Sequence, residues 1–107
     1  MPQFLYRVQP ARPDMLTQGL TPQEEAAIDK HFQYLVRLAD AGVMLLFGRT
    51  LNTDPSTFGL CIYEAADEAS ARAIMEDDPA VRSGVMRAEL FPYRIAGVGR
   101  GLRDLAV

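Results

Sequence analysis

The amino-acid sequence predicts an α+β fold, in which a four-stranded antiparallel sheet carries two helices on one of its faces. The chain has 107 residues, the usual length of a single domain. Periodicities typical of strands and helices follow one another in the order β-α-β-β-α-β, which is the ferredoxin-like arrangement. Because crossover connections between strands are almost always right-handed, both helices are expected on the same face.

The first strand is predicted over residues 3–8. Phe4, Tyr6 and Val8 share one parity, while Arg7 lies on the other. Alternation of this kind, in aromatic and branched residues, is typical of a strand that turns one face toward a core. A loop punctuated by prolines follows.

A long helix is predicted over residues 22–41. Its start is Thr21-Pro22-Gln23-Glu24, where the threonine hydroxyl can cap an amide, the glutamate can reach back, and proline suits the first helical position. Apolar residues then recur at three- and four-residue steps, namely Ile28, Phe32, Leu35, Val36 and Ala39. They predict one apolar stripe along the helix. Gly42 follows where a left-handed residue commonly ends a helix.

Two strands come next. Residues 43–47 are continuously apolar and are followed by Gly48, which is typical of a short strand buried on both faces. A loop of about nine residues, longer than most hairpin loops, leads to a third strand over residues 58–63. There Leu60 and Ile62 alternate with Cys61 and Tyr63.

In the last third of the domain, the sequence predicts a helix over residues 67–76 and a strand over residues 85–95. Asp67 can cap this helix. Its inward residues are expected to be Ala71, Ile74 and Met75, and those of the strand Met86, Ala88 and Leu90. Between the two elements, Asp78-Pro79 ends the helix and starts one further short turn. We assign residues 1–96 to one domain and residues 97–107 to a C-terminal tail without clear periodicity.

The second strand also predicts a homodimer. Its side chains are apolar on both parities, so Leu45 and Leu46 are expected to face opposite sides of the sheet. Helices cover only one of these sides, and soluble monomers rarely leave a large apolar patch in water. A second copy packed face to face would complete a dimeric α+β barrel.

Composition and sequence pattern argue against several classes of partner and cellular location. The net charge is −3, and no basic cluster suitable for nucleic acid is present. No apolar run approaches the ~20 residues of a membrane span, and the N-terminus lacks the pattern of a signal peptide. Cys61 is the single cysteine, which rules out an internal disulfide and favours the reducing cytoplasm. With one histidine and no second ligand at helical spacing, we expect no metal site and no cofactor.

His31 is the first candidate for chemistry, since it is the only histidine. It is either a core-edge side chain bonded to backbone or a general base that titrates near neutral pH. The topology brings the first half of its helix close to Asp78. That aspartate either orients the imidazole or serves only as a helix cap before proline.

The chain resembles the YCII-related (YciI-like) proteins in three segments. The first two are Lys30-His31-Phe32-Gln33-Tyr34-Leu35 and Ala41-Gly42-Val43-Met44-Leu45-Leu46-Phe47-Gly48. The third is Asp77-Asp78-Pro79-Ala80-Val81-Arg82-Ser83-Gly84-Val85, which continues into Leu90-Phe91-Pro92-Tyr93. The order and spacing of these segments are more specific than any one of them.

The resemblance implies a dimeric ferredoxin-like barrel with a His-Asp active site, here His31 and Asp78. Some relatives resemble lyases or isomerases that act on small intermediates of ring degradation. Two positions depart from the family pattern: Arg49 replaces a proline, and Ala80 replaces an aromatic residue. Arg49 either pairs with a carboxylate of the substrate or is an exposed surface charge.

Two functions therefore remain in view. The first is a small cofactor-independent enzyme of the lyase or isomerase type, with His31 moving a proton and Asp78 orienting it. The second is a non-catalytic domain that binds a small molecule or another protein. The retained histidine and aspartate favour the first, and the changes at positions 49 and 80 favour the second.

Overall fold

The structure is a computed structural model that describes residues 1–105. Four strands form its sheet: β1 (Gln3–Pro10), β2 (Met44–Arg49), β3 (Gly59–Glu64) and β4 (Met86–Tyr93). Two long helices are α2 (Pro22–Asp40) and α3 (Glu68–Asp77). Three one-turn helices complete it: α1 (Met15–Gln18), α4 (Pro79–Arg82) and α5 (Arg100–Arg103). No helix among residues 1–105 has the length and apolar character needed to cross a membrane.

The sheet confirms the predicted α+β fold of ferredoxin-like topology. Its strand order is β2-β3-β1-β4, and all neighbouring strands are antiparallel. Tyr6 on the central strand β1 lies opposite Cys61 on one side and Leu90 on the other. This row of side chains faces the helices and carries the buried core.

The helix ends follow the predicted chemistry. Thr21 accepts a hydrogen bond from the Glu24 amide while the Glu24 carboxylate accepts one from the Thr21 amide. Asp67 caps α3 through the Ser70 amide at 2.8 Å. Gly42 adopts a positive φ of 81°, a conformation that glycine reaches without a steric penalty. Local sequence signals therefore set the ends of both long helices.

The second strand departs from the prediction. A register shift lies between Met44, which pairs with Tyr63, and Leu46, which pairs with Ile62. Leu45 is the extra residue of a β-bulge, a feature that alternation alone does not reveal. Met44 is buried, but Leu45 and Leu46 are 41% and 42% exposed in the single chain. The expectation that one of these leucines packs against the helices is wrong.

The buried stripe of α2 is also rotated from the predicted one. Ala27 and Leu35 are buried, whereas Phe32 is 59% exposed and meets only the rim of the sheet, where its ring lies edge-on to Phe47. Phe47 belongs to β2, the outermost strand, so little structure lies beyond it to cover Phe32. The small helix α1 was not predicted, and Met15 buries itself there.

The sheet has a second face, on the side away from the helical core, which we call the open face. By register it contains six apolar side chains: Leu5, Leu46, Leu60, Ile62, Phe91 and Tyr93. An ion pair between Arg7 and Glu89 lies among them. Large apolar side chains in this arrangement are typical of a surface that packs against another body.

Glu24 should make the stability of the domain depend on acid pH. Arg12 donates two bonds to its carboxylate at 2.9 and 2.6 Å, and these bonds, with the Thr21 amide, lower the pKa of Glu24 from 4.5 to about 2. The unfolded chain therefore binds this proton first as pH falls. The stabilisation is complete above pH 4.5 and is lost progressively as the pH approaches about 2.

Urea unfolding of Glu24→Gln and wild type across this pH window checks the expectation. The variant should be the less stable protein at pH 6, and the difference should shrink as the pH falls through the window. Glu25→Gln, which changes an exposed neighbour, is the control and should follow the wild type. Parallel pH profiles for wild type and Glu24→Gln would contradict the assignment.

Candidate active site

His31 and Asp78 meet in the structure. The Nδ1 atom of His31 lies 2.8 Å from Oδ1 and 2.7 Å from Oδ2 of Asp78. The side chain of Asp78 is fully buried, and that of His31 is 14% exposed. Two residues 47 positions apart thus form one hydrogen-bonded pair, which the sequence predicted from the topology and from the resemblance to a family.

The Asp78 carboxylate also caps a helix. Its Oδ1 atom accepts a hydrogen bond from the Ala80 amide at 3.0 Å, at the first turn of α4. The two interpretations of Asp78 offered by the sequence are therefore compatible, because one carboxylate has lone pairs enough for the amide and the imidazole. Capping holds the carboxylate where His31 can reach it.

A third group reaches the same carboxylate from the sheet. The Tyr6 hydroxyl donates to Oδ2 of Asp78 at 2.8 Å, and both side chains are fully buried. In the sequence, Tyr6 is recognisable only as a core residue of the first strand. Its parity carried a usable signal, because a tyrosine that faces a core has to find a partner for its hydroxyl.

The Asp78 carboxylate defines the tautomer of His31. A carboxylate offers only acceptors, so the hydrogen in the bond to His31 lies on Nδ1. In the neutral ring, Nε2 then carries a free lone pair. An imidazole held in this way by a buried carboxylate is suited to take a proton at Nε2.

Burial shifts the pKa values of the groups beneath the pair. Burial is the main cause that raises the pKa of the Cys61 thiol to about 12, so this thiol is not an activated nucleophile. Burial raises the pKa of Tyr34 to about 12, with the charges of Asp77 and Asp78 adding to it. The pKa of Tyr6 is raised further by burial, with Cys61 and Asp78 as additional causes. These hydroxyls remain hydrogen-bond donors over the physiological range.

Arg49 lies apart from the pair, at the end of the edge strand β2. It is exposed, and within residues 1–105 it forms no ion pair with another side chain. It borders a cleft of about 350 Å³ whose other lining residues are Leu46, Phe47, Gly48, Thr50, Phe58 and Leu60. Arg49 is thus a free cation beside an apolar cleft.

A second cleft, of about 320 Å³, lies between α2 and α4. Lys30, Arg82 and Pro79 belong to its lining, with Gln23, Ala26, Ala27 and Ser83. Neither cleft is lined by His31 or Asp78. The part of the chain that the structure describes contains no cluster of three or more histidine, cysteine, aspartate or glutamate side chains able to hold a metal ion.

Comparison with solved structures supports the fold. The chain is similar to 5-chloro-2-hydroxyhydroquinone dehydrochlorinase from Burkholderia phenoliruptrix AC1100, in complex with 2,5-dihydroxybenzoquinone, at a TM-score of 0.64 and 21% identity. The match covers 86% of this chain and 93% of that one. At this level of identity, the likeness is one of fold.

A second structure is more distant. SnoaB, a cofactor-independent oxygenase from Streptomyces nogalater, matches at a TM-score of 0.47 and 11% identity, over 90% of this chain and 93% of that one. That score is too low to carry an argument about site or activity. No curated protein matches the chain in sequence.

A family model identifies the chain more directly. The model described as the YCII-related domain matches residues 4–94. This range contains all of the four strands except Gln3 of β1, both long helices, and the three segments that carry the resemblance. The chain therefore belongs to the YCII-related domain family.

Proposed function

We propose that this protein is a small cofactor-independent enzyme that moves a proton on a small, carboxylated metabolite. The observation that carries the proposal is the hydrogen bond between His31 Nδ1 and the buried Asp78 carboxylate. It leaves Nε2 as the acceptor, and a partly exposed imidazole can reach a bound molecule. The reaction class is that of a lyase or an isomerase.

His31 would act as base and then as acid. Nε2 takes a proton from a C–H bond beside a carbonyl group, and the electron pair of that bond passes into the substrate. The adjacent Asp78 carboxylate stabilises the imidazolium that forms. In an isomerase, the same proton returns to another carbon atom. In a lyase, the electron pair expels a leaving group instead.

Arg49 would hold the carboxylate of the substrate. Arg49 lies on β2, two strands away from Tyr6 on β1 and two residues further along the sheet. His31 and Asp78 meet above Tyr6. Strand spacing and rise place the Cα atoms of Arg49 and Tyr6 about 12 Å apart. An arginine side chain covers about half of that span, so a single-ring or short-chain acid would bridge the remainder.

The fold relative gives limited support to the reaction class. The Burkholderia protein is named as a dehydrochlorinase, and loss of hydrogen chloride is an elimination that begins or ends with a proton transfer. Its identity to this chain is 21%. This chain also departs from the family pattern at Arg49 and Ala80, so the substrate proposed here is defined by its carboxylate and its acidic C–H bond.

A non-catalytic binding domain is the second candidate. It is favoured by the position of the two clefts, neither of which is lined by His31 or Asp78. In that case the cleft beside Arg49 would hold a small apolar acid, and the His31–Asp78 pair would be a structural link between α2 and α4.

The protein is further proposed to be a homodimer joined through the open face. The apolar side chains of this face include Leu5, Leu46, Phe91 and Tyr93. Three of them, Leu46, Phe91 and Tyr93, are each 42% exposed in the single chain. A second copy offers a surface of the same shape and apolar character, with the Arg7–Glu89 pair available to bond across a two-fold axis.

Residues 1–96 form the dimerising domain in this proposal, and residues 97–107 remain a tail. Its buried free thiol, Cys61, suits the reducing cytoplasm.

Deuterium exchange tests the enzyme proposal. Small carboxylic acids with an acidic C–H bond beside a carbonyl group are incubated in heavy water with the protein, and proton NMR follows the loss of the C–H signal. We expect at least one acid to exchange with wild type, and His31→Asn to reduce that rate by about 100-fold or more.

Gln33→Asn is the matched control, since it makes the same replacement at an exposed position of the same helix. It should exchange at the wild-type rate. Exchange that survives in His31→Asn would refute the role of His31. If no acid exchanges but an apolar acid binds, and Arg49→Gln weakens that binding, the second candidate is supported instead.

A further inference from the structure

We propose that Tyr6 is a positioning residue, whose hydroxyl fixes the Asp78 carboxylate and through it the orientation and tautomer of His31. The inference deepens the proposed function and rests on it for its catalytic meaning. Its structural content, that one hydroxyl in the sheet governs an imidazole on a helix, can be tested without a substrate.

Two donors on different elements hold the two oxygens of Asp78. The Tyr6 hydroxyl, from the central strand β1, binds Oδ2 at 2.8 Å. The Ala80 amide, from the first turn of α4, binds Oδ1 at 3.0 Å. With one donor on each oxygen, the carboxylate cannot turn about its Cβ–Cγ bond without breaking a buried hydrogen bond, which is costly.

The imidazole lies symmetrically on this fixed carboxylate. Nδ1 of His31 is 2.8 Å from one oxygen of Asp78 and 2.7 Å from the other. Because the plane of the carboxylate is fixed, the direction from which Nδ1 donates is fixed as well. The direction of Nε2, on the opposite side of the ring, follows from it.

The hydroxyl of Tyr6 is not required for packing. Its ring meets Tyr63 edge-on, with centroids 5.4 Å apart and planes at 77°, and phenylalanine would make the same contact. Burial raises the pKa of the hydroxyl far above its usual value, so it donates to Asp78 throughout the physiological range. A phenylalanine at this position would remove one donor from Asp78 and leave the rest of the core in place.

Tyr63 provides a matched control. It is also fully buried on the helix side of the sheet, and its hydroxyl donates to the carbonyl of Ala71 at 2.6 Å. It does not bond to Asp78. Tyr63→Phe therefore removes one buried hydroxyl and one hydrogen bond, as Tyr6→Phe does, but at a place that does not touch the pair.

The experiment compares Tyr6→Phe, Tyr63→Phe and wild type by NMR. Correlations between the ring C–H protons of His31 and its two nitrogens report the tautomer, and they are unambiguous because the chain has one histidine. Spectra are recorded in mildly alkaline solution, where imidazoles are ordinarily neutral. We expect the wild type to show the Nδ1–H tautomer. In Tyr6→Phe the freed carboxylate can turn away from Nδ1 in part of the population, so both nitrogen resonances should shift toward a mixture of tautomers, whereas Tyr63→Phe should leave them unchanged.

Asp78→Asn sets the other end of the scale. Its amide oxygen should stay on the Ala80 amide, which places the NH₂ group toward Tyr6 and His31. Since NH₂ can only donate, it favours Nδ1 of His31 as the acceptor at the Oδ2 position, which is the nearer of the two to Nδ1 in the wild type. The ring should then switch to the Nε2–H tautomer, which is the wrong one for a base at Nε2.

Each outcome separates the two proposals. If Tyr6→Phe leaves His31 unchanged while Asp78→Asn changes it, the positioning role of Tyr6 is refuted and the His31–Asp78 pair stands. If Tyr6→Phe and Tyr63→Phe change His31 alike, the effect is one of core packing, and the role of Tyr6 is again refuted. If Asp78→Asn leaves His31 unchanged, the charge of the carboxylate does not set the state of the imidazole, and the proposed function fails with it.

Discussion

Replacing Asp78 with alanine should cost about 3–5 kcal/mol of unfolding free energy, because it removes one partner of a buried hydrogen-bonded pair. Small domains have about 5–15 kcal/mol in total. The variant should therefore fold only marginally at 25 °C. The substitution adds no steric conflict, because it only removes a polar side chain from the core.

The expected loss has three sources. Asp78→Ala removes the cap of α4, which is worth about 1 kcal/mol. It leaves the buried Tyr6 hydroxyl without an acceptor, at a further cost of about 1–3 kcal/mol. It also takes from the mostly buried His31 side chain the partner of its Nδ1 atom. The three groups share one carboxylate, so these losses are not independent and their sum is an upper bound.

Urea unfolding followed by circular dichroism measures the loss, at one fixed protein concentration because a dimer would add a concentration dependence. Asp67→Ala is the matched control. Asp67 caps α3 through the Ser70 amide but is exposed, so its loss should cost only about 1 kcal/mol. If Asp78→Ala costs no more than Asp67→Ala, Asp78 is a cap and nothing else.

The second large effect concerns the open face. Phe91→Asp should weaken self-association by about 2 kcal/mol or more, which is the cost typical of an interface hot spot. Phe91 lies opposite Leu5 on the neighbouring strand, within the apolar part of the open face. A carboxylate at this position would face apolar surface of the second copy, where it has no partner.

Sedimentation equilibrium at micromolar concentration gives the answer. Wild type should have twice the mass of the 11.8 kDa chain, and Phe91→Asp should approach the monomer. Phe32→Asp is the control, because Phe32 is also an exposed phenylalanine, 59% against 42%, but lies on the helix side of the sheet. A wild-type mass near that of one chain, or equal dissociation by the two variants, would refute the dimer through the open face.

Local sequence signals determined most of the fold. The threonine-proline start of α2, the aspartate caps of α3 and α4, and glycine at position 42 act over a few residues. Hydrogen bonds of that range depend on the chain's own neighbours, so they can be recognised in one dimension. The alternation in β1 likewise placed Phe4, Tyr6 and Val8 in the core.

Part of the site was also predictable from the sequence. His31 and Asp78 were named because both belong to the matching segments and because the topology brings their elements together. The structure adds that they bond directly. Their catalytic role, like that of Arg49, stays a prediction until a substrate is found.

Tertiary packing decided the remainder. The bulge at Leu45 and the exposure of Phe32 depend on where the edge strand ends and what lies beyond it, and no local pattern encodes that. The contact of Tyr6 with Asp78 joins residues 72 positions apart. Sequence alone established that a tyrosine would be buried and that an aspartate would precede a proline, but a hydrogen bond needs two atoms within about 3 Å. Only the folding of the sheet against α4 brings these two atoms so close.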